Sequence, residues 1–318
     1  MTSGGPCPAP SPQPSLSRNG VRVQAFTYHA PRSVNEAVEL LASTDGKSVL
    51  LAGGTDVLVQ LRENLRHADH VIDIKQIPEL TQLKTTADGG LSLGSAVTCS
   101  QLLHSEPAAP YVALLDAAQI IGGWQIQSRA TIGGNLCNSS PAADSVPALL
   151  ALGAEVEYAT PTGTQTCCVS EFCTGPGKNV MNGQGLLVSL KLLPLGPTSG
   201  SAYERFIPRY EMDIAVASAG AYIELADDGT IATARIALGA VGPKAILATQ
   251  PADALIGQTP SDELIEDVAR QAATLATPIN DMRGTIEFRQ QLTYVLVKRT
   301  LHTALLRAAG QVVSHHPR

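Results

Sequence analysis

Two Gly-Gly pairs place the strongest constraint on how this chain of 318 residues folds. They lie in "LLAGGTDVLVQL", here called the first glycine segment (residues 50–61), and in "TIGGNLCNSSPAAD", the second glycine segment (residues 131–144). Adjacent glycines permit positive φ angles and let a ligand approach the backbone closely. Successive N–H groups in such a turn form a concavity that binds anions. We therefore predict two glycine-rich turns that together suit a diphosphate without Lys or Arg.

The polar residues after each pair support this interpretation and leave an alternative open. Neutral donors are present at Thr55, Thr131, Asn135 and Ser139. Asp144 suits another task, because a carboxylate repels phosphate but accepts a hydrogen bond from a ribose or ribityl hydroxyl. In the structural alternative each Gly-Gly pair merely ends an element, and Asp144 caps the helix that follows.

Near-matches to catalytic motifs are rejected on their context. "DGKS" lacks the first glycine of a phosphate-binding P-loop, since position 41 is Leu41. "GLSLG" fits a nucleophile elbow, but a turn precedes Ser92 and a strand pattern follows it, the reverse of what an elbow requires. No G-x-G-x-x-G supports a Rossmann site. The cysteines match no zinc or ferredoxin spacing and are interpreted as reduced thiols: Cys7, Cys99, Cys137, Cys167, Cys168 and Cys173.

Composition narrows the class of protein. The net charge is −6 and there is no basic tract, which argues against nucleic acid as a partner. No apolar run reaches the roughly 18 residues of a membrane span. Residues 1–22 are rich in Pro, Ser and Gly, lack an export signal and are predicted to be a disordered tail. We therefore expect a cytoplasmic protein, with a core mostly of Ala, Leu, Val and Ile because aromatics are only 4%.

The order of predicted elements indicates an α+β fold in two parts. Ser33 and Glu36 form a capping box that starts a helix at Val34. Two hairpins, turning at Pro161–Gly163 and at Asp227–Gly229, and two closing helices are predicted farther on. The "GPTSGS" cluster suggests a domain boundary near residue 198. The predicted units are therefore residues 23–198, residues 199–310 and a short tail, 311–318.

The two glycine segments, in this order and roughly 80 residues apart, resemble the flavin motifs of the FAD-binding (medium) subunit of molybdenum hydroxylases. This is the xanthine dehydrogenase and carbon monoxide dehydrogenase family. "RYEMDIAVASAGAYIEL" and "INDMRGTIEFRQQLTYVLVKRTL" also resemble the family's C-terminal domain, so the resemblance covers residues 24 to 308. It implies a two-lobed FAD-binding domain of the vanillyl-alcohol oxidase and p-cresol methylhydroxylase type, followed by a smaller α+β domain.

The resemblance also implies a set of cofactor contacts. Asp144 would bind a ribose or ribityl hydroxyl, and Ile214 would lie near the isoalloxazine ring. Family members carry a basic residue before that segment, and Arg205 and Arg209 both meet this description, with Arg205 taken into the predicted site. If glycine is needed at residue 133 so that FAD can approach the backbone, Gly133→Val should lower the FAD content more than it disturbs the fold. The full predicted set is Leu50, Leu51, Ala52, Gly53, Gly54, Thr55, Asp56, Val57, Ile121, Thr131, Ile132, Gly133, Gly134, Asn135, Asp144, Leu187, Arg205 and Ile214.

The implied activity is electron transfer through bound FAD. A large subunit with molybdopterin would hydroxylate the substrate, and a small subunit with two [2Fe–2S] clusters would pass electrons to this chain, in a dimer of heterotrimers. The acceptor would be NAD⁺, O₂, a quinone or another carrier. Neither flavin motif contains His, so the FAD is expected to be non-covalent, and "GGTD" in place of "GGHS" disfavours CO as substrate. A self-contained flavin oxidoreductase and a cofactor-free scaffold are the alternatives.

Overall fold

The computed structural model describes residues 24–209 and 212–313, so the predicted tail at residues 1–22 lies outside the described part. The first lobe is a three-stranded parallel sheet in the order β1-β3-β2, with two helices. Its strands have close-packed apolar side chains from Val49, Val71 and Ile72. The elements of this lobe are β1 (Thr27–His29), α1 (Val34–Ser43), β2 (Ser48–Leu51), α2 (Val57–Arg62) and β3 (His70–Asp73).

Local sequence signals account for this lobe. The predicted start of α1 at Val34 is confirmed, since the Ser33 side chain accepts from the Glu36 amide. The first glycine segment joins the end of β2 to α2, and Gly54 at its turn has a φ of +79°. Because only glycine adopts that angle without strain, the chain reverses there and α2 begins three residues later.

The second lobe is built on a five-stranded antiparallel sheet in the order β4-β5-β10-β6-β7. The predicted turn at Pro161–Gly163 is confirmed as the β6–β7 connection. Ser92 lies inside β5, where it pairs with Lys191, so it is not at the strand-to-helix turn that a nucleophile elbow needs. The elements are β4 (Leu83–Thr85), β5 (Leu91–Gly94), α3 (Cys99–Leu103), α4 (Val112–Ala118), α5 (Trp124–Gln127), α6 (Ile132–Asn138), α7 (Ser145–Ala151), β6 (Glu155–Thr160), β7 (Gly163–Cys168), α8 (Val169–Phe172), β8 (Cys173–Gly175), β9 (Lys178–Asn179) and β10 (Leu186–Leu192).

The prediction of a turn in the second glycine segment is wrong. Residues 132–138 form helix α6, and the side chain of Thr131 caps it by accepting from the amide of Gly134. The spacing of Ile132 and Leu136, both fully buried, is the i, i+4 pattern of a helix that packs one face on the core. In the structural alternative Asp144 caps the next helix: it does occupy the N-cap position of α7, but its side chain makes no capping hydrogen bond.

The C-terminal part is a four-stranded antiparallel sheet, β11-β12-β13-β14, backed by two long helices. The predicted hairpin at Asp227–Gly229 and both closing helices are confirmed. The other face of this sheet packs on α4 and α7 of the second lobe, where Gly220 and Gly239 leave room for Pro147. The elements are β11 (Ser199–Phe206), β12 (Ala217–Leu225), β13 (Ile231–Gly239), β14 (Ile246–Leu247), α9 (Thr249–Asp253), α10 (Asp262–Thr274) and α11 (Ile286–Ala308).

Candidate flavin site

A glycine in each glycine segment packs directly against backbone atoms of another part of the chain. A β-carbon on Gly53 would lie 2.1 Å from the carbonyl oxygen of Arg129 and 3.0 Å from the α-carbon of Ala130. A β-carbon on Gly133 would lie 2.5 Å from the carbonyl oxygen of Ser95. At these two positions glycine is needed for protein to pack on protein, not for a ligand to approach. The first of these contacts brings the turn before α2 against the residues that directly precede α6.

The amino end of α6 offers backbone donors there. Ile132 and Gly133 are the first two helical residues, so their amides have no acceptor inside the helix. The Gly134 amide is taken up by the oxygen of Thr131 at 2.9 Å, and Gly134 itself is exposed. The positive end of the helix dipole adds to these donors, so this is a suitable end for an anion.

The side chain of Asn135 is held in one orientation. Its Oδ1 atom accepts from the Ser145 hydroxyl at 2.6 Å and from the Ser145 amide at 3.2 Å. These two donors identify which atom of the side-chain amide is the oxygen. The Nδ2 group on the other side therefore has both of its hydrogens to donate. Ser139, in contrast, is buried and donates to the Leu136 carbonyl, so the prediction that it is a free donor is wrong.

Asp144 lies at the junction of the second lobe and the C-terminal sheet, where it is 8% exposed. Tyr203 donates its hydroxyl to one carboxylate oxygen at 2.7 Å, and Arg205 donates to the other at 2.6 Å. Burial raises the pKa of Asp144 to about 6 despite the opposing effects of Arg205 and Tyr203. The group is therefore still ionised at neutral pH. Since a carboxylate has about four lone-pair sites, two bound donors leave room for a ligand hydroxyl.

The two candidate arginines have different surroundings. Arg205, on β11, is 6% exposed and donates to Asp144, to the Ile120 carbonyl at 2.9 Å and to the Asp213 carbonyl at 3.4 Å. The side chain of Arg209 is 75% exposed and forms an ion pair with Asp213 at 3.2 Å. Only Arg205 thus belongs to the buried cluster around Asp144.

The remaining predicted contacts lie around these segments. Ile121 is partly buried beside Ile120, and Ile214 is 52% exposed just after Asp213. Leu187 is 2% exposed and packs in the core on β10, a strand paired on both sides. In the first glycine segment Leu51 is likewise buried, residues 52–55 and 57 are partly buried, and Asp56 is exposed.

Sequence reasoning missed one residue at this site. Tyr203 is fully buried and holds Asp144 from a strand 59 residues farther along the chain, and no local signal marks it. Trp124 is the chain's one tryptophan and is 86% exposed at the start of α5, five residues before Arg129.

The cysteines of the described residues do not form a second centre. Among the described residues no group of three or more His, Cys, Asp or Glu side chains is placed to hold a metal ion, and the five cysteines of that part are free thiols. Burial raises the pKa of Cys137, within α6, to about 12, so its thiol stays protonated and unreactive. Over the same residues no helix is long and apolar enough to cross a membrane.

Comparison with known proteins agrees with this geometry. Residues 24–195 match the sequence family described as the FAD binding domain in molybdopterin dehydrogenase. Residues 201–304 match the family of the CO dehydrogenase flavoprotein C-terminal domain. The first match alone covers more than half of the chain.

Individual relatives are similar over nearly their whole length. The chain is 32% identical over 289 residues to the xanthine dehydrogenase FAD-binding subunit of Escherichia coli, covering 90% of this chain and 98% of that one. It is 30% identical over 287 residues to the carbon monoxide dehydrogenase medium chain of Hydrogenophaga pseudoflava, covering 89% and 98%. A solved structure of carbon monoxide dehydrogenase from that organism superposes with a TM-score of 0.85 at 28% identity, covering 90% of this chain and 99% of that one. The chain therefore belongs to the FAD-binding, or medium, subunits of the xanthine dehydrogenase and carbon monoxide dehydrogenase family.

Proposed function

We propose that this chain binds one FAD non-covalently where its two glycine segments meet and transfers electrons within a molybdenum hydroxylase. The observation that carries the proposal is the contact of Gly53 with the Arg129 carbonyl, because it brings the turn of the first glycine segment against the residues that directly precede the second. Neither glycine segment contains a histidine, which fits a non-covalent attachment.

The donor chemistry at this place fits the diphosphate of FAD. The amide of Gly133 and the Nδ2 group of Asn135 are donors without a positive charge. The negatively charged diphosphate of FAD would be stabilised by such donors at the amino end of a helix. Residues 50–57 would close the site from the first lobe, and Thr131 would add its hydroxyl hydrogen, since its oxygen is occupied by Gly134.

The rest of the cofactor would extend toward the C-terminal sheet. Asp144 would accept from a ribose or ribityl hydroxyl with the lone pairs that Tyr203 and Arg205 leave free. Ile121 and Ile214 would cover apolar ring surface and exclude water from it. The Leu187 backbone would contribute a contact from β10. Each residue here binds or orients, and none is required as an acid, a base or a nucleophile.

When bound, the flavin ring supplies the ability to accept and release electrons, which no side chain of this chain provides. The residues around it determine the position and the redox potential of the ring. We propose that the electrons come from a partner subunit with [2Fe–2S] clusters, and that a large subunit with molybdopterin performs the hydroxylation. We further propose that the complex is a dimer of heterotrimers in the cytoplasm. The electron acceptor would be NAD⁺, O₂, a quinone or another carrier.

Asn135→Asp tests the site with little change of shape. Aspartate keeps an oxygen where Ser145 donates, but it removes the Nδ2 donors and adds a negative charge facing the diphosphate. Loss of one hydrogen bond to a charged group costs about 1.5–3 kcal/mol, so the dissociation constant for FAD should rise about 10- to 100-fold. Asn138→Asp is the matched control, because it adds the same charge at the exposed carboxyl end of the same helix. Equal affinities in both variants would contradict the proposed diphosphate position.

The cofactor and partner proposals are tested separately. The purified chain should take up added FAD and show the two visible flavin bands, and a correctly folded protein that binds no FAD would refute the proposal. A tagged copy expressed in its native host should then co-purify with two other chains, together with iron, sulfide and molybdenum. A yellow chain that purifies alone and oxidises a substrate would instead support a self-contained flavin oxidoreductase.

A further inference from the structure

Arg205 connects three separate segments of the molecule. Its Nη1 atom donates to Asp144 Oδ2 at 2.6 Å and to the Asp213 carbonyl at 3.4 Å, and its Nη2 atom donates to the Ile120 carbonyl at 2.9 Å. These acceptors belong to the second glycine segment, to the loop before β12 and to the loop after α4. The guanidinium is 6% exposed, so it lies inside the protein with its outer nitrogens occupied.

Each of the three segments carries one proposed flavin contact: Asp144 itself, Ile121 beside Ile120, and Ile214 beside Asp213. We propose that Arg205 is a positioning residue, which holds these contacts at their mutual distances and thereby sets the affinity and the redox potential of the flavin. It acts through its three acceptors and not by touching the cofactor. The inference rests on the proposed function, since it assigns the roles of residues within that same site.

The chemistry of the cluster explains why arginine is suited to this position. A guanidinium is planar and offers five donors in a rigid fork, so one group can reach acceptors in several directions. A lysine ammonium would keep the charge opposite Asp144, but as a compact group on a flexible stem it would not span the carbonyls of Ile120 and Asp213. The Tyr203 hydroxyl binds the second oxygen of Asp144 at 2.7 Å, so the carboxylate has a single orientation.

A second buried arginine provides an internal control. Arg307, on α11, donates to Asp116 Oδ2 at 2.7 Å and to the Ser201 carbonyl at 2.6 Å, so it too joins the second lobe to the C-terminal part. The side chains of this pair are 8% and 4% exposed, comparable to 7% and 11% for Arg205 and Asp144. None of its acceptors belongs to the three segments held by Arg205. The two pairs therefore share burial and charge and differ in what they hold.

The experiment compares Arg205→Lys and Arg205→Met with Arg307→Lys and Arg307→Met. For each full-length protein we would measure thermal stability without FAD, the dissociation constant for FAD, and the midpoint potential of the flavin at saturating FAD. All four variants should be less stable than wild type. Only the Arg205 variants should bind FAD at least about tenfold more weakly and shift the midpoint potential, with lysine recovering stability but not affinity.

Hydrogen exchange in the FAD-free protein gives a readout that does not depend on the cofactor. The amides of residues 118–123 and 212–216 should exchange faster in Arg205→Lys than in Arg307→Lys. If Arg205→Met does not fold, Tyr203→Phe replaces it, because it frees one oxygen of Asp144 while keeping the arginine. Wild-type affinity, potential and exchange in Arg205→Lys, or equal effects in the Arg307 variants, would overturn the positioning role alone. A folded wild-type chain that binds no FAD would overturn the proposed function and this role with it.

Discussion

Gly53 and the carbonyl oxygen of Arg129 are so close that a β-carbon on residue 53 would lie 2.1 Å from that oxygen. The contact joins the turn after β2 to the chain just before α6, 76 residues later in the numbering. Since backbone atoms cannot rotate away as a side chain does, this position accepts no residue larger than glycine without a shift of the chain. The two segments of the proposed flavin site can therefore pack this closely only because residue 53 has no side chain.

Gly53→Ala should therefore lower the free energy of unfolding and the affinity for FAD together. Overpacking of this kind costs about 1–3 kcal/mol, and the shift would also separate the two helix amino ends. Gly175→Ala is the control, because a β-carbon there meets nothing within 4 Å, and its effect should stay within about 0.5 kcal/mol. Urea unfolding without FAD and titration with FAD give the two quantities. If Gly53→Ala has the wild-type free energy of unfolding, the backbone at this contact can shift to admit a β-carbon, and the prediction is wrong.

Gly133→Val should destabilise the protein even when no FAD is present. A β-carbon on residue 133 would lie 2.5 Å from the Ser95 carbonyl oxygen and 2.7 Å from its α-carbon, so valine would push α6 away from the end of β5. We expect a loss of about 3 kcal/mol or more, or failure to fold. This replaces the sequence-based expectation of a selective loss of cofactor. A variant with normal FAD-free unfolding that loses only FAD would restore that earlier explanation.

Asp144 should make stability fall as pH rises from about 4 to about 6. Burial raises its folded pKa from 3.8 to about 6, so between these values the folded state binds more protons than the unfolded state. A shift of this size corresponds to about 3 kcal/mol, present below the unfolded pKa and lost as pH rises through the folded pKa. Asp144→Asn removes the titration, so the stability of wild type relative to the variant should decline over that window. Urea unfolding of both proteins at four pH values measures it, and a difference that is flat or rises with pH would refute the assignment.

Trp124 should report FAD binding by its fluorescence. It is the one tryptophan in the sequence, is 86% exposed, and begins the helix that leads to the Gly53 contact. A flavin bound between the two glycine segments would lie near this indole and quench its emission. The midpoint of the titration should agree with that measured by flavin absorbance and should move to higher FAD in Asn135→Asp. Trp124→Phe removes the signal, and binding seen by absorbance with no change in emission would place the flavin elsewhere.

Much of the fold was predictable because it depends on neighbouring residues. The cap at Ser33, the hairpins at Pro161–Gly163 and Asp227–Gly229 and the two closing helices follow from side-chain capping, turn chemistry and apolar periodicity, which act over a few residues. The glycine segments were also recognisable as motifs. The error at α6 arose because Gly-Gly was interpreted as a turn, although the Thr131 cap and the spacing of Ile132 and Leu136 are local helix signals.

The sequence by itself thus determined many of the elements, though not α6, and the family to which the chain belongs. Only the tertiary structure decided what the key residues do. Gly133 packs on Ser95, Asn135 is oriented by Ser145, and Asp144 is held by Tyr203 and Arg205. These partners come from the residue after β5, from α7 and from β11, and their approach depends on packing within the second lobe and between that lobe and the C-terminal sheet. No local pattern encodes such contacts, because their energy comes from burial between surfaces that are far apart in the chain.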